Sequence, residues 1–362
     1  MYKKFDIILL LPVLLLFVTG LFSVYSATRT FGTDTHFTIQ LLASVLGIFL
    51  MLLICFFDYE LLFPLAKYIF ILSCLCLAFV LALGMTGIWG SKSWIKIGPV
   101  SVQPSELIKC TFIITFSAHL SRLKERINTF CGFVGLVIHL LIIVSLIMLQ
   151  PDLGTAVVFM FIFAAMVFSA GLSYKIIIPS VITCAGLAPF IYHFLGDYQK
   201  NRIRVFLNPE LDPLGSGYNV IRSKLTLGSG EIFGRGYLEG VSTGTGYLPA
   251  KHTDFIFSSI GEEMGFVGSV ILIILLFIVI IRIFIVGGRA DNSFGRFICV
   301  GTGAMFLFHT VENVGMCMGL LPVTGIPLPF ISYGGSALVA SFIAIGMVLS
   351  VGRHTRGNNI FK

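Results

Sequence analysis

Two acidic residues lie at the start of a long apolar segment, where a carboxylate is costly unless it has a function or a partner. Asp254 ends a long polar stretch, and Glu262 follows eight residues later, about 12 Å further along a helix. Ser258 lies between them on the same helical face. Two interpretations stay open. Asp254 is a catalytic base or metal ligand, with Glu262 holding the helices together or tuning the site, or Asp254 is the N-cap of the helix.

A second acid and a base lie at the start of another apolar segment. Glu106 and Lys109 are three residues apart behind a Gln-Pro pair, so both lie on one face of a helix that begins there. This spacing favours a buried ion pair, and the alternative is that Lys109 binds a substrate anion. Asp152, in a tight turn, either caps the following helix or joins Asp254 in binding a divalent cation.

Aromatic and basic residues could contact the rest of a substrate. Trp94, beside two lysines, is typical of a membrane-interface anchor, but it could also meet a sugar or a phosphate. Arg202 and Arg204, in the long polar stretch, suit a phosphate-bearing partner or a lipid headgroup surface. The glycine-rich segment 228–236 lacks the Lys-Ser/Thr ending of a phosphate loop, so we expect no nucleotide site there.

Two further polar features interrupt the apolar sequence near its end. One apolar segment contains His309, Glu312 and Asn313, with His309 and Asn313 four residues apart. We interpret them as a hydrogen-bonded packing cluster, and a proton relay is the alternative. Residues 319–336 are rich in proline and glycine, so irregular backbone is expected, lining a cavity.

An apolar chain must hold these residues in place. Of its 362 residues, 57% are hydrophobic and only 11% are charged, which predicts an all-α polytopic membrane protein with a single domain, 1–362. About ten membrane-spanning helices are predicted, at residues 6–26, 37–57, 61–84, 105–120, 133–149, 154–171, 175–195, 254–285, 295–320 and 328–351. One large loop, 196–253, separates the seventh from the eighth.

Basic residues are concentrated in the short loops and termini of one side. This asymmetry predicts that both termini are cytoplasmic, and that the 196–253 loop and Asp254 lie outside. The net charge of +7 is therefore interpreted as a topology signal, and nucleic-acid binding is not expected.

Together these motifs resemble the SEDS family, named for shape, elongation, division and sporulation, over nearly the whole chain. The resemblance rests on Trp94-Ile95-x-x-Gly98, Gln103-Pro104-Ser105-Glu106 with Lys109, Gln150-Pro151-Asp152-Leu153-Gly154-Thr155, the Tyr198-Gln199 to Asp212-Pro213 loop, Leu248-Pro249 with His252-Thr253-Asp254-Phe255-Ile256-Phe257, Glu262-Glu263-x-Gly265 and residues 319–336. The loop resembles the elongation branch more than the division branch.

The resemblance implies a ten-span peptidoglycan glycosyltransferase of the bacterial cytoplasmic membrane. Such an enzyme joins lipid II disaccharides into glycan strands at the outer surface, with inversion, during elongation and shape maintenance. Asp254 matches the family's essential carboxylate and is expected to be the general base, aided by Mg²⁺ or Mn²⁺ and by no nucleotide. A class B penicillin-binding protein (the transpeptidase) and other elongation-complex membrane proteins are the implied partners. Supporting roles are expected for Trp94, Glu106, Lys109, Asp152, Arg202, Arg204, His252, Ser258, Glu262 and Ser336.

The chain departs from the family pattern at three positions. Arg222 replaces a glutamine, Glu231 replaces a glycine, and Ala250 replaces a glutamate beside Lys251. These departures affect loop contacts and any metal role of the missing glutamate, but not Asp254. The alternative functions are a lipid II flippase or polyprenyl-lipid transporter, and a non-catalytic scaffold that only recruits the transpeptidase. Because the candidate acids concentrate near one mouth of the bundle, chemistry there is favoured over transport.

Overall fold

The computed structural model describes residues 6–29, 32, 35–84, 92–98, 100–194, 196–212 and 215–355. Its α-helices are α1 (Ile7–Thr28), α2 (Thr35–Phe56), α3 (Leu62–Leu83), α4 (Pro104–Leu123), α5 (Phe130–Met148), α6 (Leu153–Ser169), α7 (Tyr174–Phe194), α8 (Asp197–Leu207), α9 (Ser216–Ser229), α10 (Val241–Thr245), α11 (Ile256–Gly288), α12 (Ser293–Cys317) and α13 (Gly335–His354). The predicted all-α class is confirmed, and a short antiparallel hairpin, β1 (Ile95–Ile97) and β2 (Val100–Val102), precedes α4.

A helix lies at each of the ten predicted spans. The last one differs most, because α13 begins at Gly335 and not near residue 328. The residues before it include Pro327 and Pro329, which lack the backbone N–H that a helix interior needs. Within the described residues, seven helices are long and apolar enough to cross a membrane by length and composition: α1, α2, α3 with its preceding turn, α5, α11, α12 and α13. The count of ten spans stays a prediction.

The centre of the bundle is formed by α4, α12 and α13, whose side chains are mostly buried. α12 packs on α4, α6 and α11, while α13 packs on α2 and α4. The outer helices α1, α2, α3 and α5 instead present large exposed apolar side chains, such as Leu11, Leu42 and Leu72. This distribution suits a bundle whose rim contacts lipid while its polar residues face inward.

The 196–253 segment, predicted as a polar loop, contains the helices α8, α9 and α10. α9 packs against α11 and α12, and α10 packs against α1 and α11. These short helices are therefore part of the packed structure above the start of α11.

α11 is interrupted at Gly265, which has φ 66° and ψ −166°, a combination available essentially only to glycine. The segment 231–236 fills the gap. Arg235 N–H and Gly236 N–H donate to the carbonyls of Glu262 and Glu263, while Phe266 N–H and Val267 N–H donate to the carbonyls of Glu231 and Ile232. The glycine-rich segment thus satisfies the backbone groups that the break leaves unpaired.

Candidate active site at the start of α11

Asp254 lies in a turn between Ala250 and the first residue of α11. Thr253 N–H and Phe255 N–H both donate to the Ala250 carbonyl, and Ala250 has a positive φ of 50°. The N-cap of α11 is Phe255, and within the described chain no side chain caps this helix start. The interpretation of Asp254 as an N-cap is therefore wrong, and its carboxylate is available for another role.

Asn313 of α12 fixes the backbone of Asp254. Its Nδ2 donates to the Asp254 carbonyl at 2.9 Å and to the Ile326 carbonyl at 2.8 Å. Asn313 is fully buried, and Cys317 Sγ also approaches the Asp254 carbonyl, at 3.7 Å. This geometry confirms that Asn313 belongs to a packing cluster, and the cluster holds the candidate base in place.

The irregular segment before α13 covers the other side of the turn. Ser332 Oγ donates to the Thr253 carbonyl at 2.8 Å, and Tyr333 N–H donates to the His252 carbonyl at 2.8 Å. Gln40 of α2 bonds this segment in turn, at the Ser332 carbonyl and the Gly334 N–H. Residues far apart in sequence therefore immobilise the backbone on both sides of Asp254.

Asp254 is half-buried, and the charge of Arg202 acts on its carboxylate. An ideal Cβ on Gly325, whose φ is +77°, would lie 3.6 Å from Asp254 Oδ2, so the carboxylate borders that backbone. Arg202 of α8 donates to the neighbouring Thr324 carbonyl at 3.1 Å. Burial raises the pKa of Asp254 from 3.8 to about 6, and this rise is opposed by Arg202 and by a hydrogen bond from Thr253. Such a carboxyl is ionised at neutral pH yet basic enough to accept a proton.

His252 lies in a cluster of rings with His36 and Tyr333. The ring centroids are 5.3 Å apart for His252 and His36, and 5.4 Å apart for His252 and Tyr333. Burial is the main reason that the pKa of His252 is lowered to about 4, and the charges of His36 and Lys251 contribute to the same decrease. The imidazole is therefore neutral at physiological pH, beside the Asp254 turn.

Glu262 is bound to α10. It accepts hydrogen bonds from Ser242 N–H at 2.8 Å, and from Thr243 N–H and Oγ1 at 2.9 and 2.7 Å. Lys251, a departure from the family pattern, is buried and donates to the Thr243 carbonyl. Burial lowers the pKa of Lys251 while the Glu262 charge opposes that change. Of the two roles left open for Glu262, the contacts favour holding the structure together.

Ser258, fully buried on α11, bonds to Ser223 of α9 at 2.7 Å between the two hydroxyl oxygens. Ser223 Oγ also donates to the Cys317 carbonyl at 2.9 Å. Ser258 therefore joins α9, α11 and α12 behind the Asp254 turn.

Glu106 and Lys109 form the predicted ion pair, with Lys109 Nζ 2.8 Å from Glu106 Oε2. Lys109 Nζ also lies 3.1 Å from His309 Nε2 on α12, and only 2% of Lys109 is exposed. In this conformation the ammonium group faces Glu106 and His309, so the alternative of a substrate anion at Lys109 is disfavoured.

Asp152 caps α6 through hydrogen bonds from Thr155 N–H and Oγ1, at 3.0 and 2.9 Å. Gln103 Nε2 donates to the same carboxylate at 3.2 Å, and Gln103 N–H donates to Ser336 Oγ at 3.0 Å. This chain of bonds joins the starts of α4, α6 and α13 at the same end of the bundle as Asp254.

Trp94 lies immediately before β1, and Arg204 is exposed on α8.

Across the residues that the structure describes, no group of three or more His, Cys, Asp or Glu side chains could hold a metal ion. A cation bound by protein ligands alone does not fit this site. Both Asp152 oxygens already accept hydrogen bonds, which leaves Asp254 as the better single ligand of the predicted pair.

Several residues that contact or border the Asp254 region were not among the predicted site residues, including Asn313, Glu312, Cys317, Thr324, Gly325, Ser332 and Tyr333. Glu312 Oε1 accepts a hydrogen bond from Thr324 Oγ1 at 2.7 Å, directly beside Gly325. The polar positions of α12 and the glycines of residues 319–336 were visible in the sequence. Their convergence on Asp254 was not, because it depends on how α12 and the irregular segment pack.

The family model described as "Cell cycle protein", for FtsW, RodA and SpoVE, matches residues 4–357. Among similar proteins, the peptidoglycan glycosyltransferase MrdB of Escherichia coli K12 is 36% identical over 80% of this chain and 78% of its own. The stage V sporulation protein E of Bacillus subtilis is 36% identical over 97% and 98%. A probable peptidoglycan glycosyltransferase FtsW of Trichlorobacter lovleyi is 35% identical over 96% and 93%.

The fold also resembles solved structures. A chain of a peptidoglycan synthase complex, described for its coordination of polymerization and crosslinking, has a TM-score of 0.85 and 32% identity, with 97% of this chain and 98% of that chain covered. The RodA crystal structure from Thermus thermophilus has a TM-score of 0.72 and 28% identity, with 98% and 99% covered.

Proposed function

Because this chain belongs to the FtsW, RodA and SpoVE family of multi-pass bacterial membrane proteins, we propose that it is a peptidoglycan glycosyltransferase with Asp254 as its general base. It polymerises lipid II at the outer face of the cytoplasmic membrane, with both termini in the cytoplasm. The catalytic part of this proposal rests on the environment of Asp254. Asp254 is a half-buried carboxylate, with a pKa raised to about 6 by burial, on a turn held by Asn313 and Ser332.

The reaction requires the protein to accept a proton from the acceptor and to stabilise the negative charge of the leaving group. Asp254 accepts the proton of the acceptor sugar's 4-hydroxyl as its oxygen attacks C1 of the donor sugar. The bond from C1 to the pyrophosphate oxygen breaks, and the pyrophosphate departs on its polyprenyl carrier with the electron pair. One direct displacement inverts the configuration at C1. Arg202, near Asp254, is placed to stabilise the negative charge of the departing group.

A divalent cation stays part of the proposal. Mg²⁺ is commonly held by one or two carboxylates together with substrate phosphates, so Asp254 and a bound pyrophosphate would provide a suitable donor set without a third protein ligand. The cation would supply additional charge neutralisation at the pyrophosphate.

The proposal also includes a cellular role and a protein partner. The polar loop motifs support an elongation role, although division and sporulation relatives match the chain about as well. The similarity to a chain of a peptidoglycan synthase complex supports a class B penicillin-binding protein as partner, within the elongation complex.

The test distinguishes a polymerase from a lipid II flippase. Purified protein in vesicles is given fluorescent lipid II with Mg²⁺, and both glycan polymer and transfer between leaflets are measured. Polymer that forms when lipid II is supplied only on the face bearing Asp254 supports the proposal. Transfer between leaflets without polymer, in protein that retains its fold and with the transpeptidase present, would favour the flippase.

A further inference from the structure

A cavity of about 370 Å³ lies at the end of the bundle opposite Asp254. It forms where α1 begins, where α2 and α13 end, and where the last turns of α11 meet them. None of the site residues described above lines this cavity.

The polar lining of the cavity is predominantly positive. Three guanidinium groups, those of Arg282, Arg289 and Arg353, line it together with the single carboxylate of Asp6. Arg282 Nε pairs with Asp6 Oδ2 at 2.9 Å. Arg289 is exposed, and the Arg353 guanidinium lies 4.4 Å from the centroid of the Phe56 ring. The lining residues therefore carry three positive charges and one negative charge.

The rest of the lining is apolar and continuous with the surface that faces lipid. Leu9, Val286 and Val348 form buried wall positions. Ile7 and Ile8 also line the cavity and are 69% and 60% exposed, so the wall continues onto the outer surface of α1. A ligand suited to this site has an anionic head and an apolar tail.

We propose that this cavity binds the headgroup phosphate of an anionic phospholipid of the surrounding membrane. The phosphate would lie between Arg289 and Arg353, and the acyl chains would follow Ile7 and Ile8 along α1. Basic pockets between membrane helices are suited to such headgroups, since a cation at the interface and an apolar surface below it match both parts of the lipid. Arg289 and Arg353 also lie at helix C-termini, where they offset the helix dipole. That role alone would require neither the cavity nor its apolar wall.

The experiment measures binding of fluorescent phosphatidylglycerol to the purified full-length chain in neutral detergent, with fluorescent phosphatidylcholine as the neutral comparison. The test variants are Arg289→Gln and the double variant Arg289→Gln/Arg353→Gln. The matched control is Arg296→Gln, an exposed arginine on α12 that bonds to the Ser169 carbonyl and does not line the cavity. Since Arg289 is exposed, its substitution should leave the fold intact.

The proposal expects phosphatidylglycerol to bind more tightly than phosphatidylcholine. Affinity for phosphatidylglycerol should fall by about fivefold in Arg289→Gln and by tenfold or more in the double variant, since each interfacial cation contributes roughly that factor. Arg296→Gln should bind like wild type. An equal loss in Arg296→Gln, or none in the double variant, would overturn the proposal. Displacement of the lipid by inorganic phosphate would instead assign the site to a free anion and would also overturn it.

Discussion

Asn313 Nδ2 donates to two carbonyls at once, that of Asp254 at 2.9 Å and that of Ile326 at 2.8 Å. One buried amide on α12 therefore joins the turn that carries the candidate base to the irregular segment that borders its carboxylate. The position of Asp254 depends on this contact as much as on its own helix.

Asn313→Asp tests this relationship. An aspartate of nearly the same shape cannot donate, and its charge would repel both carbonyls, so the Asp254 turn should shift. A small displacement of a catalytic group can cost about a hundredfold in rate, and we expect kcat for lipid II polymerisation to fall by roughly 10 to 100-fold. The control is Asn128→Asp, which removes an exposed 3.4 Å donation to the Gly171 carbonyl at the opposite end of the bundle and should leave kcat near wild type. Equal rates for the two variants would contradict the positioning role.

The pH dependence of activity tests the protonation state of the base. With a pKa of about 6, Asp254 must lose its proton to act, so kcat/KM should fall about tenfold per pH unit below that midpoint and level off above it. Arg202 favours the ionised carboxylate, so Arg202→Gln should move the midpoint to higher pH. Arg204→Gln, an exposed position on the same helix, should leave the midpoint in place. If Arg202→Gln has the same midpoint as wild type, the titration belongs to a group other than Asp254.

The raised pKa also predicts a cost in stability. A carboxyl whose pKa rises from 3.8 to about 6 on folding stabilises the folded state fully only below pH 3.8, and that contribution is lost as the pH rises through 6. Asp254→Asn should therefore be more stable than wild type at pH 7.5, by about 1 to 2 kcal/mol after allowance for partial exposure.

Thermal unfolding in detergent at pH 7.5 and pH 4.5 measures this difference. The gain should shrink at the lower pH, because the wild-type carboxyl is then largely protonated in the folded protein. Asp291→Asn, an exposed position at the opposite end, should give no such gain. A variant less stable than wild type at pH 7.5 would show that the Asp254 charge is structurally required.

Gly265 is predicted to be irreplaceable. At φ 66° and ψ −166°, a side chain is strained by about 1 to 3 kcal/mol, and a Cβ there would also meet the backbone of residues 232–234. Gly265→Ala should lower the yield of folded protein and its unfolding temperature. Gly288→Ala, on the same helix with open space around it, should be neutral or slightly stabilising. Equal stability of the two variants would show that the break in α11 is not needed.

The helical architecture was predictable because apolar runs of membrane length are long and unambiguous. The helices of the 196–253 segment were missed, since α9 is held by packing against α11 and α12 and carries no long apolar run. Proline-rich residues 319–336 correctly indicated irregular backbone. Asp254 was identified from its position and its motif, and the Glu106 and Lys109 pair from its spacing.

The sequence could not show which residues from distant parts of the chain interact with Asp254 and Lys109. Asp254 interacts with Asn313 and Arg202, which lie 59 and 52 residues away in the sequence. Lys109 interacts with His309, which lies 200 residues away. The alternatives left open for Asp254 and Glu262 differed only in such long-range contacts, so they required the packed structure.

The most direct test of Asp254 as the general base is the rate at which purified Asp254→Asn polymerises labelled lipid II at pH 7.5. The variant is compared with wild type at equal amounts of folded protein. Asparagine keeps the shape but cannot accept the proton, so the rate should fall by roughly 10² to 10⁴-fold. Polymer formed at a rate near that of wild type would contradict the account.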